Sequence, residues 1–187
     1  YRFALRDITL PAGTRVCLNL VCNSAYPSES RLYAANYLSK AKGVDLKSTL
    51  DSVINAYNQS NNRDIKLALA TAISKTKTEK SLSFLKTEME NSQDQGIRYN
   101  LLSNLKTFAH EMVDTVAFQY LKDKNFRIAR LAARYFIDNG NEIDAKKYLE
   151  YYFNPETNAK AHIEILGAAN KYLPFTMTVS RTTVNDI

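Results

Sequence analysis

His110 and Glu111 stand at the head of an apolar helical stretch, which is how a helix begins a zinc site. Such a site needs a second histidine one turn on, so that two imidazoles reach the metal from one face while the glutamate acts as base. The fifth residue of His110-Glu111-Met112-Val113-Asp114 is aspartate, and the other of the chain's 2 histidines, His162, is far away in sequence. A surface histidine near a helix start is the simpler reading, and no metal or cofactor is expected. Cys17 and Cys22 fall in one apolar run with Val16, Leu18, Leu20 and Val21. That spacing gives neither a Cys-x-x-Cys pair nor a zinc ligand set, and packing in a core would leave both thiols inert. The sequence has no Gly-x-Ser-x-Gly elbow and no glycine-rich phosphate loop, so the chain reads as non-catalytic.

The remaining chemistry is that of contact. Arg127, Arg130 and Arg134 are spaced three and four apart and therefore share one helical face. A guanidinium suits carboxylate or phosphate, so this face fits an acidic peptide or a phosphate-bearing ligand. The competing assignment pairs these cations with acids of neighbouring segments. Net charge is +6, but Lys and Arg are scattered and most have an acid within a few residues. No basic-plus-aromatic recognition element is visible, which disfavours nucleic acid. Among 12 tyrosines the densest group is Tyr148, Tyr151 and Tyr152, beside Phe153. Tyr148 and Tyr152 share a face suited to packing on the next segment. Tyr151 is rotated away from them and is the candidate for an exposed contact.

The elements that must position these residues are helices. Hydrophobic residues make up 45% and charged residues 24%, while 5 Gly and 4 Pro are too few for a turn-rich β fold. Five segments align by their apolar positions, beginning at Ser30, Ile65, Ile97, Ile128 and Ala161, with starts 35, 32, 31 and 33 residues apart. Positions one, five, six and nine of this frame are apolar in every copy except at Ser30, as in a helix that buries one broad face. Further amphipathic stretches lie between the copies. They are marked by Leu50, Val53 and Tyr57, then Leu82, Leu85 and Met89, then Val113, Val116 and Tyr120, then Ile143, Tyr148 and Tyr152. Val16, Leu18, Leu20 and Val21 suggest a partner helix before the first copy. Each unit then reads helix, turn, helix. Turn and capping residues fall between the units at Asn61 to Asp64, Asn91 to Asp94 and Asp138 to Asn141. Pro27 reads as the first turn of a helix. Arg31, Lys66, Arg98 and His162 all occupy position two, so stacked copies would set them in a ladder.

The frame resembles the second helix of HEAT repeats, with an apolar residue, then Arg, then small or branched apolar residues one turn on. Ile97-Arg98 with Leu101, Leu102 and Leu105 carries the likeness, as do Ile128 with Ala132, Ala133 and Phe136, and Arg31 with Ala34, Ala35 and Leu38. It spans roughly residues 14–173 and implies an all-α fold, a right-handed α-α superhelix or solenoid of about five stacked helical hairpins. In such arrays the second helices line the concave side, which would make the position-two ladder a basic inner strip. Its implied role is a scaffold or a protein- or peptide-binding module, with an acidic partner where the cations do the binding. The chain is also similar to the repeat arms of bacterial proteins that carry a cyclophilin-type isomerase domain. That likeness implies an accessory arm whose catalysis lies elsewhere, and polyanion binding through the basic strip is a further alternative. Residues 1–13 read as the tail of an earlier helix stopped near Pro11 and Gly13, and residues 174–187 as an extended segment or linker, together suggesting part of a longer protein. No stretch has the roughly 18 to 20 apolar residues of a membrane span.

Overall fold

The computed structural model describes residues 10–40, 45–108 and 110–173. Among them the regular structure is ten α-helices and two single 3-10 turns, with no strand. Consecutive helices pair across short loops: α1 (Leu10–Cys22) with α2 (Ser28–Lys40), α3 (Leu50–Gln59) with α4 (Arg63–Ser74), and α5 (Glu79–Asn91) with α6 (Gln95–Leu105). In the same way α7 (Glu111–Tyr120) pairs with α8 (Phe126–Asn139), and α9 (Ala145–Phe153) with α10 (His162–Tyr172). These hairpins fall into two compact units, Tyr1–Ala109 with the first three and His110–Ile187 with the last two. In the first unit α2 packs on α4 and α4 on α6; in the second, α8 packs on α10.

The apolar frame explains the helices. Ile65, Leu69, Ala70 and Ile73 of α4, and Ile128, Ala132, Ala133 and Phe136 of α8, are each at most 2% exposed. Burying a side chain of Leu or Ile size stabilises by about 2 kcal/mol, so one such stripe per helix outweighs modest intrinsic propensity. The frame fails at three positions. Ser30 and Ile97 are only half-buried, and Leu166 is 40% exposed.

Caps fix where the second helices begin. Asn62 accepts from the backbone N–H of Asp64 and Ile65, Asp94 from Gly96 and Ile97, and Asn125 from Arg127. Asn158 caps the 3-10 turn that leads into α10. The polar links between neighbouring hairpins keep the repeat's own step. Asn62 donates to Ser28, Ser74 and Thr71 meet Asn104, Asn158 donates to the Asp123 carbonyl, and Lys171 to the Ile137 carbonyl, all 30 to 35 residues apart.

Several local expectations are corrected. Pro11 and Gly13 lie within α1 rather than in a loop ahead of it. Pro27 precedes α2, and its carbonyl accepts from the N–H of Arg31. Ile143 is 92% exposed in the turn before α9. Cys17 is fully buried, and burial pushes its thiol up to about 11. Cys22 is exposed at the end of α1 instead of sharing that core, although its thiol still reaches the Ser52 carbonyl at 3.5 Å. The expected helix tail before residue 10 and the extended segment 174–187 lie outside the described residues.

Candidate functional site

His110 is the N-cap of α7. Its Nδ1 accepts from the backbone N–H of Met112 at 3.1 Å, a structural task that follows from its place at the helix start. Among the described residues no three His, Cys, Asp or Glu side chains are gathered as a metal would need. No helix there is long and apolar enough to cross a membrane.

At position two of the frame Arg31, Lys66 and His162 each turn to the first helix of their own hairpin. Arg31 Nε and Nη2 both donate to the Val21 carbonyl near the end of α1, at 3.3 Å each. That favourably places a cation on the unpaired carbonyls of a helix C-terminus. Lys66 Nζ lies 4.9 Å from the centroid of the Tyr57 ring on α3. His162 packs on Tyr152 of α9 with centroids 4.8 Å apart, and Ala129, which replaces the cation in the fourth copy, is fully buried. Arg98 is half-buried. A residue 100° from position one sits at the edge of the buried stripe, and here that edge faces the first helix of the same hairpin. Tyr151 is likewise half-buried, stacked on Phe118 with centroids 4.9 Å apart, rather than exposed.

The open face of the second helices carries positions three and seven instead. In the first unit these are Leu32 and Asn36 on α2 and Leu67 and Thr71 on α4. Together with Asn100 of α6 they line an open groove of about 450 Å³, with Lys40 and Asp64 also on its wall. Its polar groups are nearly all neutral. Asn36 spends one amide N–H on the Leu32 carbonyl at 3.1 Å, and Thr71 donates to the Leu67 carbonyl at 3.1 Å. Asn100 accepts from Asn104 through both its backbone and side-chain carbonyls at 3.0 Å, and Asn104 in turn reaches Thr71. Each primary amide has two donors and two lone pairs, so these bonds fix the side chains and leave hydrogen-bonding capacity at the groove. The expected site residues did not include these amides and hydroxyls. Their signal was present in the sequence as polar residues one step off the buried stripe.

In the second unit the same face is basic. Arg130 Nε and Nη2 donate to Glu164 Oε1 on α10 at 2.8 and 2.6 Å, and Arg134 Nε lies 3.4 Å from the same oxygen. The Glu164 side chain is 7% exposed, whereas those of Arg130 and Arg134 are 41% and 56% exposed. Arg127 is exposed and sits 6.0 Å from the ring centroid of Phe126. Of the sequence-selected residues the structure therefore brings Arg130 and Arg134 together, on a glutamate that sequence reasoning passed over. Of the other six, Arg31, Lys66 and His162 each contact the first helix of their own hairpin, and Tyr151 stacks on Phe118.

No protein-family model matches the chain, and no curated protein matches it in sequence.

Proposed function

We propose that the chain is a non-catalytic binding module of the HEAT-like kind, a right-handed solenoid whose second-helix face takes an extended peptide segment of a partner protein. The groove on α2, α4 and α6 carries this reading. It is concave, apolar at Leu32 and Leu67, and edged by amides and hydroxyls that can pair with peptide N–H and C=O groups. A neutral wall of this kind favours main-chain recognition over strong selection by charge. The helices that present it are rigid, because their opposite faces are the buried frame.

The test is selection of linear peptides from a display library on the intact chain, followed by binding to Asn36→Leu and Thr71→Leu. Each substitution fills the groove and removes hydrogen-bonding capacity, and should weaken the selected peptides by about tenfold or more. Peptides that bind both variants as tightly as the unaltered chain, or a library that yields none, would refute the reading.

A further inference from the structure

Glu164 is a poor match for a pair that serves stacking alone. One carboxylate oxygen receives both Arg130 and Arg134, while the other, Oε2, is buried and accepts no hydrogen bond among the described residues. Since both guanidiniums reach a single oxygen, their bonding nitrogens lie within about 6 Å of each other, where like charges repel unless anions offset them. Glu164 offsets one of the two. A surplus positive charge is left on side chains roughly half exposed, each with further N–H groups beyond those used on Glu164.

We propose that Arg130 and Arg134, anchored on the buried carboxylate of Glu164, form a receptor for the carboxylate side chain of an acidic peptide. A planar guanidinium held by one carboxylate loses little freedom on gripping a second, and its fork matches the flat geometry of that group. One carboxylate neutralises the surplus charge. The apolar surroundings fit a polypeptide better than a bare ion. Phe126, one turn before Arg130 on the same helix, is 47% exposed, and Ile163, adjoining Glu164, is 80% exposed. Glu164 acts here as a positioning residue. This site lies wholly within the second unit and does not depend on the groove of the first.

The experiment compares fluorescein-labelled short peptides of mixed Glu and Leu with their Gln-for-Glu counterparts, by anisotropy on the full chain at low and high salt. Arg134→Gln is the informative variant, because it removes the more exposed guanidinium and keeps the Arg130–Glu164 bond. The unaltered chain should bind the Glu peptide about tenfold more tightly than the Gln peptide at low salt, with that margin shrinking at high salt. Arg134→Gln should lose most of the margin with its melting midpoint unchanged. If its midpoint falls, Arg134→Lys decides the matter, since it retains the charge and should retain more of the margin than Arg134→Gln. Equal affinity of the unaltered chain for the two peptides overturns the proposal, as does a margin that survives Arg134→Gln.

Discussion

Helices α4 and α8 are built on the same frame and present opposite surfaces. In both, position one is a fully buried isoleucine, Ile65 or Ile128, and positions five, six and nine are hidden as well. At positions three and seven α4 shows Leu67 and Thr71, whereas α8 shows Arg130 and Arg134. The neighbours follow suit. Thr71 meets an amide on α6, and the arginines meet a carboxylate on α10. Packing constrains one side of each second helix and leaves the other free to vary, so the same frame presents a neutral surface in one unit and a charged one in the other.

Position nine is where both units depend most on burial. Leu105 in the first unit is fully buried and Phe136 in the second is 2% exposed. Leu105→Ala and Phe136→Ala should each cost about 3 to 4 kcal/mol in chemical denaturation. A loss below 1 kcal/mol at either, on the order expected of a surface site, would show that the frame does not hold that unit together.

Two glycines differ between the units in how closely they are packed. A methyl group at Gly140 would collide with the Phe136 backbone carbonyl and come within 2.6 Å of the Tyr148 hydroxyl and 2.8 Å of the Tyr172 ring. Gly140→Ala should therefore cost about 2 kcal/mol, since a carbonyl bonded into a helix cannot step aside. At Gly96 the one severe obstacle is the end of the Arg63 side chain, with the Asp94 carboxylate a milder one at 3.2 Å. Gly96→Ala should be close to neutral by thermal melting, because Arg63 can swing away and alanine favours the helix. Equal losses at the two sites would count against the packing described for one of them.

The smallest effect is electrostatic. A hydrogen bond from Arg63 and backbone N–H bonds from Ile97 and Gly96 hold Asp94 down to about 2, from an ordinary 3.8. A depressed carboxylate adds stability above its unfolded pKa and loses it as pH falls through the folded value, so this contribution fades from about pH 4 to pH 2. Asp94→Asn keeps a good N-cap and removes the charge. Its melting midpoint should fall less steeply over that interval than that of the unaltered chain. In the second unit Lys122 likewise lowers Glu156 below the usual carboxylate range. Glu156→Gln should flatten acid unfolding in the same direction.

Most of the fold was legible because burial writes itself into spacing. The apolar period located every second helix, and the caps at Asn62 and Asp94 were readable as turn residues beforehand, whereas the cap at Asn125 was not. Leu166 departed from the frame, being 40% exposed where the same position is buried in the other four copies. Ile143 departed because an apolar residue in a turn looks, one residue at a time, like the start of a helix. The site was harder to read. A helical wheel gives the angle of Arg31, Lys66 and His162 but not which neighbour lies along it, and all three turned out to face their own hairpin. Glu164 is an acid at a position that reads as surface in isolation. Only the arrival of α8 beside α10 buries it and makes it the anchor for two arginines.

The stacking of hairpins within each unit depends on contacts that recur one repeat apart, and nuclear Overhauser effects on the isotopically labelled chain measure these directly. Cross-peaks are predicted from the Asn104 side-chain amide to the Thr71 methyl, from the Asn158 side-chain amide to protons of Asp123, and from the Tyr172 ring to protons of Ile137. Their absence in a folded sample, or a network of cross-strand Hα contacts in their place, would contradict it.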